Sequence, residues 1–187
     1  MTEDSIADLL TKAAQNDRAA WHTLVDRYHR LVWSVIRGFR LDSAAAEDVF
    51  QTTWQRLMEH CDRIREPERL PGWLATTARN EALRVIRQQK RQIPSEFEYD
   101  VADPTNVSFD EMLVDDETQR AALRAFAKLP EDAQQLLRLL CADPPLDYST
   151  ISEMVGRPVG SLGPTRQRIL DKLRKLMEDE LEGGSGR

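Results

Sequence analysis

The 187-residue chain has only two cysteines, Cys61 and Cys141, with no CxxC pair and no histidine close to the pattern of a metal site. A disulfide framework and a Cys/His zinc centre are therefore not expected, and the cysteine usage suits a reducing, cytoplasmic setting. There is no run of about 18 or more uncharged apolar residues, so no membrane insertion is expected. The opening MTEDSIADLL is acidic and lacks the basic and apolar regions of a secretory signal. Phosphate loops of the GxxxxGK(S/T) and GxGxxG types are missing, as are HExxH and GxSxG. The three histidines, His22, His29 and His60, do not have ligand spacing. These absences argue against an enzyme and against a bound metal or cofactor. No stretch alternates apolar and polar residues as a half-buried strand does, so the expected fold class is all-α.

What is present is unevenly charged. The net charge is −6. Residues 1–95 carry 15 bases and 13 acids, a net of +2. Residues 96–118 carry nine acids and no base, a net of −9, and residues 119–187 carry 11 bases and 10 acids, a net of +1. One segment thus supplies the acidity, and the overall balance does not exclude nucleic acid as a partner of the flanking parts. The same segment holds Pro94 and Pro104 and no sustained helical period, which reads as an extended, self-repelling linker over residues 94–118. It separates two small helical domains, 1–93 and 119–182, and 183–187 (Gly-Gly-Ser-Gly-Arg) read as a flexible tail.

The first domain reads as four helices. Residues 6–14 are amphipathic, and Asn16-Asp17 offers a cap for the next helix. There Trp21, Leu24, Val25, Tyr28, Leu31, Val32, Val35 and Ile36 recur at helical spacing. A third helix places Val49, Phe50, Trp54, Leu57, Met58 and Cys61 on one side and a polar, lightly charged face on the other. A fourth spans about 72–89, with Pro71 at its start and Trp73, Leu74 and Ala78 buried. Arg79, Arg84, Arg87, Lys90 and Arg91 face one acid, Glu81, with Trp73, Thr76, Thr77 and Asn80 nearby. Cations beside an aromatic and amides suit single-stranded nucleic acid, which needs phosphate neutralisation and a stacking surface. An ordinary charged surface over a core Trp73 is the competing interpretation.

The second domain reads as helices over 122–128, 131–141 and 150–155, with a final helix over 161–181. Ser149 competes with a Thr150–Glu153 capping box at the third of these. The short helix, Gly156 and the long helix after it have the helix-turn-helix pattern. In the last helix Leu162, Ile169, Leu173 and Leu176 share an apolar face, and Pro164, Gln167, Arg168, Asp171 and Lys175 oppose it. Residues 157–175 hold six bases against Asp171. Such a helix can anchor on one side and read duplex DNA with the other, Arg and Gln at base edges and Lys at phosphates. With Ser161 as the cap, Pro164 falls at the third helical position, where no intrahelical N–H bond is lost. A solvated basic bundle helix is the alternative.

Three stretches in order carry a family resemblance: Asp48-Val49-Phe50-Gln51 with Trp54 and Leu57; Gly72-Trp73-Leu74 followed by Ala78-Arg79-Asn80; and Leu129-Pro130, Tyr148-Ser149-Thr150-Ile151 and Gly156-Arg157-Pro158-Val159-Gly160-Ser161-Leu162. Over about residues 6–181 the chain resembles a bacterial sigma factor of the extracytoplasmic-function type, which keeps only the second and fourth sigma domains. The resemblance implies that Asp48, Gln51, Trp54 and Gln55 face the clamp helices of core RNA polymerase. It implies that Trp73, Thr77, Arg79, Asn80, Arg84, Arg87 and Arg91 open and hold the promoter −10 element as single strand, with the loop from Asp62 to Leu70 capturing a flipped base. It implies that Arg157, Ser161, Pro164, Thr165, Gln167, Arg168, Lys172 and Lys175 read the −35 duplex. The linker would thread through the polymerase, and an anti-sigma factor would be a partner. Arg84 stands where the family often has Asp, and Gly163-Pro164-Thr165 replaces a common Lys/Arg-Ser-Arg run, so the promoter sequence does not transfer. A conventional duplex-binding repressor and a purely protein-binding adaptor are the rival classes.

Overall fold

The computed structural model describes residues 4–92 and 117–184; all the regular structure in them is helical. The linker residues 93–116 and the tail residues 185–187 lie outside the described residues, so the reading of 94–118 as an extended linker falls almost wholly outside them. Helix α1 (Ile6–Ala14) starts at Ser5, whose hydroxyl oxygen accepts the Asp8 N–H while the Asp8 carboxylate accepts the Ser5 N–H. That reciprocal box satisfies donors a helix start otherwise leaves open. Helix α2 (Arg18–Ile36) is capped by Asp17, which accepts the N–H groups of Ala19 and Ala20 at 2.8 and 3.2 Å. Its predicted stripe is buried at Leu24, Tyr28, Leu31, Val32, Val35 and Ile36. Each large side chain removed from water there contributes about 1.5–3 kcal/mol. Helix α3 (Ser43–His60) is capped by Asp42. Helix α4 (Leu70–Gln92) begins two residues before the expected start, because the 3-10 turn Pro67–Arg69 leads directly into it and Pro71 fits its first turn.

The second group of helices is α5 (Glu117–Ala127), α6 (Glu131–Leu140), α7 (Tyr148–Val155) and α8 (Val159–Gly184). Helix α5 begins five residues before the expected 122, inside the expected linker 94–118, and further expectations need correction. The cap of α7 is Asp147, whose carboxylate accepts the Thr150 N–H at 2.7 Å and the Thr150 hydroxyl at 3.0 Å, so neither Ser149 nor a Thr150–Glu153 box starts the helix. Helix α8 starts at Val159, not after Ser161; the Ser161 hydroxyl donates back to the Pro158 carbonyl at 2.7 Å. Pro164 is therefore the sixth residue of the helix and does remove one bond, the one its N–H would have made to Gly160. The turn is open around it; a Cβ built on Gly160 or Gly163 meets no atom within 4 Å. Helix α8 also runs through Gly183 and Gly184, the first two residues of the expected tail.

Between α7 and α8, Gly156 has φ +65°, a left-handed C-cap that suits glycine, and donates its N–H to Ser152. The buried side chains of the two helix groups join into one apolar cluster, from Leu9 on α1 to Ile169 on α8. Polar contacts and close approaches also cross from one group to the other. Arg40 meets Glu131 at 2.5 Å, and the Arg79 Nε donates to the Met154 carbonyl at 3.1 Å. A Cβ on Gly38 would lie 3.4 Å from Gln135, and one on Gly72 would lie 3.0 Å from the Thr150 hydroxyl.

Candidate polymerase and nucleic-acid interfaces

The outward face of α3 is set by the burial of its other side. Val49, Thr53 and Leu57 point inward, which leaves Asp48, Gln51 and Gln55 exposed. Trp54, expected with them, is a core residue, 6% exposed. Its ring meets Trp21 and Phe50 edge-on, with centroids 6.0 and 5.9 Å apart, and Phe50 stacks on Trp33 at 4.7 Å. The buried Trp54 Nε1 has no hydrogen-bond partner. Met58, expected in the core, is 59% exposed. Seven residues after Gln51, it falls on the same helical line as Gln51 and Gln55. That line was available from the spacing; its hydrophobicity pointed the other way.

Along α4, at about 100° per residue, Trp73, Thr77, Asn80, Arg84, Arg87 and Arg91 fall within about 40° of one line. Asn80, Arg84 and Arg87 are exposed, and Trp73 and Thr77 are half-buried. The side chain of Arg91 lies outside the described residues. Arg84 donates to Glu81 at 2.6 Å, and Glu81 also meets Arg56 of α3 at 3.5 Å, which ties the stripe to α3. The Arg87 Nε donates to the Leu83 carbonyl at 3.0 Å. Arg79 lies about 120° away from this line. Its guanidinium is spent on α7, so the structure separates it from the residues with which it was grouped.

At the N-terminal end of the stripe, Trp73 borders a cavity of about 320 Å³ with His60, Arg63, Ile64, Arg65, Glu66 and Arg69, and Glu66 pairs with Arg69 at 2.6 Å. The rings of His60 and Trp73 are 6.4 Å apart. The His60 Nδ1 lies 2.9 Å from the Arg56 carbonyl, an acceptor, which fixes the ring's orientation beside Trp73. A flat aromatic, an imidazole and several guanidinium groups can stack on a planar base and neutralise its phosphate. The loop from Asp62 to Leu70, expected to take a flipped base, forms most of this wall.

On α8, Ser161, Pro164, Arg168, Lys172 and Lys175 share one line facing away from buried Leu162 and Ile169. Thr165 does not belong with them. It is 8% exposed, against the core side, and its hydroxyl oxygen accepts a long 3.4 Å bond from Arg168. Gln167 sits to one side and donates to Asp171 at 3.0 Å. Arg157, in the turn before α8, is paired with Asp132 of α6 at 2.7 Å.

The sigma-70 region 2 family model matches residues 24–92, the segment that holds α2, α3 and the aromatic–basic stripe of α4. Over that segment the chain is similar to sigma-70 region 2. Over 177 residues it is 24% identical to a protein of Xanthomonas campestris pv. campestris named "Probable RNA polymerase sigma factor RfaY", covering 92% of this chain and 43% of that relative. The chain thus spans less than half the length of that curated relative. Its fold is similar to that in the solved structure of CnrH in complex with the cytosolic domain of CnrY, with a TM-score of 0.56 at 17% identity, covering 94% of this chain and 99% of the other. The region 2 match agrees with the sigma-factor resemblance carried by the sequence motifs. Among the described residues no helix is long and apolar enough to cross a membrane, and no group of His, Cys, Asp and Glu could hold a metal ion.

Proposed function

We propose that this chain is a dissociable specificity subunit of RNA polymerase, which directs the core enzyme to promoters and helps open them. The observation that carries this reading is the α4 stripe, in which Asn80, Arg84 and Arg87 continue the line of Trp73 beside the basic cavity of the 62–70 loop. A duplex-binding repressor has no use for a stacking cavity at the head of a cationic rail; an opened strand does. In this role the α4 stripe and the loop hold the −10 strand, with a flipped base in the cavity, and stacking there offsets the cost of leaving the duplex. The exposed line of α3, Asp48, Gln51 and Gln55 with Met58 added, docks on core polymerase. The α8 line, Ser161, Pro164, Arg168, Lys172 and Lys175, lies in the −35 major groove, with Arg157 and Gln167 at its margins.

Each DNA-reading face alone makes few phosphate contacts, and the chain's net charge of −6 weakens its binding to free DNA. Fixing both faces on one polymerase makes the second contact intramolecular, which raises affinity without new contacts. Residues 1–93 and 119–182 act as the two reading domains. A regulatory protein that holds the free subunit is a further expected partner, supported by the capture of CnrH with the cytosolic domain of another protein. The test is transcription in vitro with purified core polymerase and fragmented genomic template. Discrete new transcripts that appear only with this chain, and disappear in Arg84→Ala/Arg87→Ala, are expected. An unchanged transcript set would reject the reading.

A further inference from the structure

We infer that Arg79 is a latch between the two helix groups and not a ligand of DNA; the functional meaning of the latch, though not its existence, rests on the promoter-binding reading above. The guanidinium leaves the α4 stripe and reaches the second-last residue of α7, where its Nε donates to the Met154 carbonyl at 3.1 Å. That carbonyl is one of the last four of α7, which have no partner within the helix. A cation there also faces the negative end of the helix dipole, so the contact combines a charge-assisted hydrogen bond with favourable macrodipole electrostatics. The nearby close approach of Gly72 and Thr150 lets α7 lie flat against α4, and any side chain at 72 would have to displace the Thr150 hydroxyl.

Beside the shared apolar cluster, the other polar contacts of the seam are weak. Arg40–Glu131 is a solvent-exposed pair, of a kind worth about 0–1 kcal/mol. Burial, and next the like charge of Arg37 from the other helix group, hold Arg138 of α6 below the usual arginine range. Arg138 lies over the Phe126 ring, 4.7 Å from its centroid. On top of the apolar cluster that the two groups share, Arg79 is the directed polar contact that fixes how α7 sits on α4. Closure also has a consequence for promoter engagement. A compact chain of 187 residues has a radius of gyration of about 16 Å. Elements some 25 base pairs apart are separated by about 85 Å at about 3.4 Å per pair. The latched form therefore cannot touch both at once, and release of Arg79 is a step towards the bridging form.

The experiment uses the full chain and four variants, Arg79→Ala, Arg79→Lys, Arg79→Gln and, at the far end of the seam, Glu131→Arg. Solution scattering reads closure, and fluorescence anisotropy with a labelled single-stranded 20-mer of mixed sequence, over a salt series, reads DNA contact. A latch predicts a larger radius of gyration for Arg79→Ala and Glu131→Arg, an intermediate one for Arg79→Lys, and an unchanged salt slope with equal or tighter DNA binding. If Arg79 instead binds phosphate, Arg79→Ala lowers the salt slope by about 0.7 and leaves the dimensions as they were; that result overturns the inference. Circular dichroism checks folding, and should Arg79→Ala not fold, Glu131→Arg decides on closure and Arg79→Gln, which removes the charge but keeps a donor, decides on the salt slope. Arg84→Ala/Arg87→Ala is the parallel control. If it too leaves DNA binding untouched, the nucleic-acid reading fails while the scattering result still decides the latch.

Discussion

Trp54 lies between Trp21 and Phe50 with almost no exposure, so its truncation acts on folding before it acts on any partner. Trp54→Ala is expected to cost about 3–5 kcal/mol, the usual range for emptying a buried aromatic site. Trp54→Phe should cost much less, because it keeps the aromatic contacts and removes an indole N–H that has no partner. Thermal unfolding separates the two. Gln51→Ala, at an exposed site, should stay within about 0.5 kcal/mol of the parent and instead reduce capture of core polymerase in a pull-down. Equal thermal losses in Gln51→Ala and Trp54→Ala would contradict this division of α3 into a packed side and a docking side. Periodicity already put Trp54 on the apolar side of α3, and the family resemblance put it at the interface; the burial favours the periodicity. Met58 shows the opposite case, an apolar residue whose position and not its type determined its exposure.

At the scale of the element, the start of α7 depends on Asp147. The Ser149 hydroxyl and the Thr150 N–H hold its carboxyl below the ordinary carboxylate range. The folded state thus prefers the charged form, so the stabilisation is complete above the unfolded carboxylate range and is lost as the pH falls through and below it. Asp147→Ala should cost about 0.5–2 kcal/mol at neutral pH, the usual loss for an N-cap. The gap in melting temperature between parent and variant should narrow on acidification; a gap that widens would show that the cap works by some other means. The helices themselves were largely evident from local signals: the Asp17 cap, the α2 stripe and the Pro130 stop all fall where expected. The start of α8 did not, because Ser161 is a good cap by type. The short Pro158-Val159-Gly160 stretch instead joins the helix as a 3-10-like first turn, with the Ser161 N–H donating to the Pro158 carbonyl at 2.9 Å.

For the whole molecule, the acidic stretch 96–118 carries a net charge of −9, beside first and second parts of +2 and +1. Replacing its acids with Ser and Asn should raise non-specific binding of the free chain to duplex DNA, most strongly at low salt, in a filter-binding titration. No change at low salt would mean that the segment does not act as an electrostatic shield. Sequence by itself determined the helical class, the division of charge, the basic stripes of α4 and α8 and the family resemblance, because each depends on spacing within a dozen residues or so or on composition. Tertiary structure alone decided that the two helix groups share one apolar cluster, that Trp54 is inside it, and that Arg79 belongs to the seam with α7. The physical reason is distance along the chain. Arg79 and Met154 are 75 residues apart, and no local period reports a hydrogen bond that only the packing of two separate helix groups brings into reach.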